Sequence, residues 1–125
     1  MDVFSNYHVY EFFSSEMAVA YAISEVVIAR AGFGTLTELA ALKKAAVILP
    51  MFGTHQEPNA RLFAEHNGII LIERGTDTGY KLAQVVKDLV ENKSKRVNLG
   101  ERLHTLLPRA KQSRVVEIVE ELIDV

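Results

Sequence analysis

Val26-Val27-Ile28-Ala29-Arg30-Ala31-Gly32-Phe33-Gly34-Thr35-Leu36-Thr37-Glu38 is the stretch on which the fold turns. Its first four residues form a continuous apolar run, too short for a helix and without alternation. Such a run suits a strand buried on both faces, the situation of a parallel sheet. Gly32 and Gly34 let the backbone turn tightly after that strand. A helical pattern, Thr35–Lys43, follows the glycine pair.

The same alternation extends to either side. Tyr7–Phe13 is aromatic and β-branched and is expected to be a strand. Ala46–Leu49 and Gly68–Ile72 are further compact apolar runs. Between them lie helical patterns at Ser15–Ile23 and Pro58–Glu65, the second with proline in its first turn, where a missing N–H costs little. The expectation is an α/β, Rossmann-like parallel sheet of about four strands with flanking helices and right-handed crossovers. Beyond it, a helix capped by Asp77 or Thr78 and running to Glu91 places Leu82, Val85, Val86, Leu89 and Val90 on one face. Asn92–Arg96 reads as a polar connector, with a phospholipid-surface contact of Lys93–Arg96 as the alternative. A short helix near Leu99–Leu107 ends at Pro108, and an amphipathic helix covers Gln112–Ile123.

The chain has 125 residues, 49% hydrophobic and 24% charged, enough for one domain with a real core. Fourteen Lys and Arg stand against 16 Asp and Glu, so no basic excess points to nucleic acid. Cysteine is absent, which excludes disulfides, thiolate metal sites and a cysteine nucleophile. The N-terminus lacks the basic start of a signal peptide, and the longest apolar run, Ala45–Phe52, is far too short to span a bilayer. A cytoplasmic protein is expected, at most peripheral to a membrane through a partner.

Ligands of open α/β sheets bind at the carboxyl ends of the strands. The segment Arg30–Glu38 lies there, and a helix start at Thr35 would aim free N–H groups at a phosphate. It is neither a dinucleotide fingerprint, since Thr37 holds the third glycine position, nor a Walker loop. Thr35-Leu36-Thr37-Glu38 also reads as a capping box, with Glu38 reaching back to the Thr35 N–H. Capping and ligand binding need not exclude each other. His55 and Gln56 fall in a loop beside this segment, where imidazole and amide groups suit hydroxyls or simply face solvent. Asn59 reads as a helix-start residue. Arg30 could face a phosphate or pair with a carboxylate. His8, His55, His66 and His104 lack metal-ligand spacing, and no serine sits in a nucleophile elbow. The carboxylates Glu117, Glu120, Glu121 and Asp124 read as a solvated helix face.

Taken together, Arg30-Ala31-Gly32-Phe33-Gly34-Thr35-Leu36-Thr37-Glu38-Leu39, Ala46–Pro50 and His55-Gln56-Glu57-Pro58-Asn59-Ala60 resemble one family. It is the donor-binding C-terminal domain of MurG-type GT-B glycosyltransferases, which transfer N-acetylglucosamine from UDP-GlcNAc to a lipid-linked acceptor. The similarity runs from about Tyr7 to Ile123, so residues 1–125 are expected to form a single partial domain of that type, with βα units at about 7–73 and C-terminal helices at about 78–124. The resemblance implies that Glu38 accepts hydrogen bonds from the ribose hydroxyls. It implies that the backbone at Gly32, Phe33, Gly34 and Thr35 holds the diphosphate, that His55 and Gln56 bond the sugar, and that Phe13 and Ser14 face the uracil.

The family's domain normally opens with a strand, a glycine-rich loop and a second strand, and an acceptor domain carries the proposed base. None of these is matched here. The implied function is a UDP-GlcNAc-binding subunit or fragment of a transferase, active only with a partner chain. No catalytic residue, metal or cofactor is assigned. The alternatives are a non-catalytic α/β interaction module and a fragment of a UDP-sugar epimerase. Without the middle strands of the usual 3-2-1-4-5-6 order, Val26–Ala29 would expose an apolar edge. That edge could pair with Tyr7–Phe13, with a second copy in a homodimer, or with another chain; a homodimer is the expectation.

Overall fold

The computed structural model describes residues 6–51, 53–54, 56–108 and 112–123. A parallel sheet of three strands, β1 (Val26–Ala29), β2 (Ala45–Ile48) and β3 (Ile70–Leu71), runs in the order β1-β2-β3. Val26 is in register with Ala45 and Val47 with Ile70. The helices are α1 (Met17–Ile23), α2 (Phe33–Ala41), α3 (Gln56–Glu65), α4 (Thr78–Glu91), α5 (Lys93–Leu106) and α6 (Gln112–Ile123).

All four residues of β2 are buried, as its unbroken apolar composition requires. The pleat sends them alternately to two faces. Ala46 and Ile48 pack with Leu36, Leu39 and Ala40 of α2, Ala60 and Phe63 of α3 and Leu103 of α5. Ala45 and Val47 face the other way, onto Leu89 of α4 and Leu99 of α5. The sheet is therefore covered on both sides, and α5 contributes to both layers.

Two helix ends fix how the chain enters the inner and outer strands. After α2, Lys43 takes a left-handed φ of 53°, its N–H donates to the Ala40 carbonyl (3.2 Å), and the Lys44 N–H donates to Leu39 (3.0 Å). After α3, Asn67 has φ 60°, with Asn67 N–H to Ala64 (3.0 Å) and Gly68 N–H to Phe63 (2.8 Å). Both are Schellman motifs. Each lies against α5: Gly100 abuts the Lys43 backbone and Gly68 abuts Leu103 and Leu106. Helix α5 thus closes the amino ends of β2 and β3 and leaves the carboxyl ends open.

Three expectations are corrected. Tyr7–Phe13 is not a strand; the described residues give three strands rather than about four. Tyr10 and Phe13 contact each other, with ring centroids 4.8 Å apart, but Tyr7, Val9, Tyr10 and Phe12 are exposed. Strand propensity is realised only against a pleated, half-buried surface, and no strand partner lies beside this segment among the described residues. Lys93–Arg96 is not a connector but the first turn of α5, capped by the Asn92 side chain, which accepts from the Lys95 N–H. Arg96 Nη1 donates to the carbonyls of Leu89 and Val90 (2.7 Å each) at the end of α4, and Lys95 pairs with Asp88. These side chains join two helices. Asn59 is the fourth residue of α3 rather than its start, because α3 begins at Gln56. Among the described residues, no helix is long and apolar enough to cross a membrane.

Candidate functional site

Helix α2 begins at Phe33, two residues earlier than the capping pattern suggests. Its N-cap is Gly32, which has extended backbone and no side chain to cap with. The first intrahelical bond runs from the Leu36 N–H to the Gly32 carbonyl (3.0 Å). The N–H groups of Phe33, Gly34 and Thr35 precede it and have no acceptor in their own helix. The capping box is therefore corrected: Thr35 is the third helical residue and Glu38 the sixth, beyond reach of the N-cap N–H. Thr37, not Thr35, makes the local side-chain bond, donating from Oγ1 to the Gly34 carbonyl (2.8 Å).

Glu38 is exposed, and its Oε2 accepts a hydrogen bond from the Tyr21 hydroxyl of α1 (3.1 Å). Partial burial, and then the Glu38 carboxylate, hold the Tyr21 phenol above its ordinary pKa. Between α1 and α2 lies a shallow hollow of about 340 Å³, walled by Met17, Ala18, Tyr21, Glu38, Ala41 and Leu42. A carboxylate has two acceptor oxygens, so a bond from Tyr21 leaves room for further donors. Tyr21 is the residue that sequence reasoning missed. Its contact spans 17 residues, and nothing in the Ala-rich pattern of α1 distinguishes it from a core aromatic.

The other predicted residues divide. Gln56 opens α3 beyond β2; its Oε1 accepts from the Met51 N–H (3.0 Å), which leaves its Nε2 hydrogens for a ligand. Ser14 lies just before α1, and both its N–H (3.1 Å) and its hydroxyl (3.2 Å) donate to Glu16 Oε2. Those bonds lower the Glu16 pKa, together with the Glu16 backbone N–H, which is the largest cause. A ligand contact through the Ser14 N–H would have to displace Glu16. Phe13 is half-buried beside it. Arg30 pairs with no carboxylate among the described residues; its Nη1 donates to the Leu49 carbonyl (3.2 Å). His55 lies outside the described residues. His66 and His104 direct Nδ1 at the carbonyls of Leu62 (2.9 Å) and Ala40 (3.0 Å), and among the described residues no group of three or more His, Asp or Glu could hold a metal.

The profile of the glycosyltransferase family 28 C-terminal domain matches residues 2–122. Among curated relatives, the UDP-N-acetylglucosamine--N-acetylmuramyl-(pentapeptide) pyrophosphoryl-undecaprenol N-acetylglucosamine transferase of Desulforamulus reducens is 34% identical over 110 residues. That alignment covers 86% of this chain and 30% of the relative. The enzyme of the same name from Myxococcus xanthus is 34% identical over 116 residues, covering 90% and 28%. The chain thus spans under a third of the length of these relatives. A crystal structure of Acinetobacter baumannii MurG superposes with a TM-score of 0.73 at 27% identity, covering 87% of this chain and 32% of that one. The three-stranded α/β core, the glycine-started α2 and the match over nearly the whole sequence agree: the chain belongs to the family of glycosyltransferase family 28 C-terminal domains.

Proposed function

We propose that this chain binds the donor nucleotide, UDP-GlcNAc, for an N-acetylglucosaminyltransferase, as a single partial donor domain. The observation that carries the reading is the start of α2. Three N–H groups open the helix without an N-cap side chain, and a carboxylate follows within the next turn. The N–H groups of Phe33, Gly34 and Thr35 suit a diphosphate, supported by the positive helix end. Glu38 Oε1 suits a ribose hydroxyl while Oε2 keeps Tyr21. The Gln56 amide, with His55, would bond the sugar, and Phe13 with Ser14 would flank the uracil.

Transfer to a lipid-linked acceptor would need residues from a partner. β1 has no strand on its outer side among the described residues, and Ile28 is 48% exposed. This open edge supports a partner there, either an acceptor-bearing chain at the cytoplasmic face of a membrane or a second copy. Light scattering at high micromolar concentration tests the homodimer, and a monomer mass there counts against it.

The donor reading is tested by calorimetric titration of UDP and UDP-GlcNAc into the chain and into Glu38→Ala. Saturable binding that the substitution weakens by about tenfold is expected, the effect of losing a charged acceptor. An absence of heat at millimolar ligand, or equal affinity in Glu38→Ala, overturns the donor assignment.

A further inference from the structure

Helix α1 reaches the candidate site through one side chain. The Tyr21 ring packs against the core on the α2 side of the sheet, and its hydroxyl donates to Glu38 Oε2 (3.1 Å). Among the described residues, Tyr21 is the one side chain bonded to Glu38. The two share the hollow between α1 and α2, and its other walls, Met17, Ala18, Ala41 and Leu42, carry no side-chain donor that could take the place of the phenol. Partial burial, and then the Glu38 carboxylate, hold that phenol above its ordinary pKa, so it remains a donor at neutral pH.

The two partners differ in freedom. Glu38 is exposed, and a glutamate turns about three side-chain bonds, the last with a broad torsional profile. A ligand that met it alone would have to order it, and that cost comes off the affinity. Tyrosine turns about only two, and the Tyr21 ring is half-buried and packed before any ligand arrives. The phenol thus restrains the carboxylate from Oε2, and Oε1 is left without a partner among the described residues.

We propose that Tyr21 is a positioning residue for the nucleoside sugar: by holding Glu38 at Oε2 it pre-orders Oε1 for a ribose hydroxyl, and so makes α1 part of the device that distinguishes ribose from a sugar without hydroxyls. The proposal rests on the donor reading of Glu38 and deepens it. Tyr21 acts only through Glu38. A merely structural role, attachment of α1, has a separate handle in Lys44, whose ammonium donates to the carbonyls of Ala22 (3.4 Å) and Ser24 (3.0 Å) without touching Glu38.

The test is calorimetric titration of UDP and of 2′,3′-dideoxy-UDP, which lacks both ribose hydroxyls, into the whole chain and its variants. Tyr21→Phe keeps the packed ring and should weaken UDP binding by about fivefold, the effect of ordering one flexible side chain. It should leave 2′,3′-dideoxy-UDP unchanged. In a Glu38→Ala background, Tyr21→Phe should have no further effect on either ligand. Lys44→Met should keep the parent ratio of the two affinities. Equal UDP affinity in Tyr21→Phe and parent, equal loss for both ligands, a further loss in the Glu38→Ala background, or a Lys44→Met variant that reproduces the Tyr21→Phe loss each overturns the proposal. The two readings fail differently. A loss in Glu38→Ala with none in Tyr21→Phe overturns this proposal alone, whereas UDP binding that is absent, or equal in Glu38→Ala and parent, overturns the donor reading and this proposal with it.

Discussion

Gly100→Ala should destabilise the protein, although alanine is the better helix former. Gly100 sits in the middle of α5, where glycine costs about 1 kcal/mol relative to alanine. A Cβ there would stand 2.0 Å from the Lys43 carbonyl oxygen and 2.5 Å from its carbon. Neither partner can yield cheaply. The Lys43 backbone is held by the two bonds of the turn after α2, and α5 is held by Leu99 and Leu103 in opposite layers of the core. Inserting a methyl into a packed core costs about 1–3 kcal/mol, and a collision with backbone belongs at the upper end. Subtracting the propensity gain leaves a net loss of about 2 kcal/mol or more. For a chain of this size that is a fall in Tm of about 8 °C. Gly79→Ala is the control, because a Cβ there meets nothing within 4 Å in the first turn of α4. It should gain up to about 1 kcal/mol. Thermal and urea unfolding followed by far-ultraviolet circular dichroism reads both. Were the two alanine variants to shift Tm in the same direction, the close approach of α5 to Lys43 would be refuted.

Two further predictions concern α2. Gly34→Ala should leave stability unchanged or slightly raised, since its Cβ meets no protein atom within 4 Å. It should still weaken UDP binding by roughly 1 kcal/mol through crowding at the helix start; unchanged affinity by calorimetry would count against a diphosphate seated there. Tyr21→Phe removes the hydroxyl bonded to Glu38. Because the folded-state pKa of Tyr21 is raised, its contribution is fully present below the ordinary tyrosine pKa of about 10 and is lost as pH rises through the folded value. Parent and Tyr21→Phe unfolding curves should therefore differ at neutral pH and converge on the alkaline side. A difference that persists there would contradict the coupling.

Much of the architecture was legible because short apolar runs have one physical use. Val26–Ala29 and Ala46–Leu49 are too short for helices and too apolar for surface strands, and both fall within one residue of observed strands. The apolar stripe of Gln112–Ile123 marked α6 to the residue, and that of α4 gave its end at Glu91 and its start to within a residue, although the Asp77 side chain makes no capping bond. Tyr7–Phe13 failed because strand propensity describes a fit to a neighbour, and the neighbour is a tertiary fact. The capping box failed because Ser/Thr-x-x-Glu fits a helix start without fixing it, and Gly32 offered an earlier one. Asn92–Arg96 looked like a linker because its composition is polar, yet a single residue, Asn92, separates α4 from α5. At the candidate site the glycines, Glu38 and Gln56 could be read locally. The Tyr21–Glu38 bond could not, since it joins residues far apart in the chain.

The attachment of α1 sets up a small cooperative unit of its own. The helix has seven residues and buries none of them. Its anchors are the Tyr21 ring against the core, the Tyr21–Glu38 bond, and the Lys44 ammonium, which donates to the carbonyls of Ala22 (3.4 Å) and Ser24 (3.0 Å). A helix of about two turns held this way opens at far lower free energy than the sheet it leans on. Its amides should exchange with solvent orders of magnitude faster than those of β2. Because one anchor is also the carboxylate proposed for the ribose, occupancy of Glu38 and the opening equilibrium of α1 would share one free energy, and the exchange rate of this helix would report on the site without touching it.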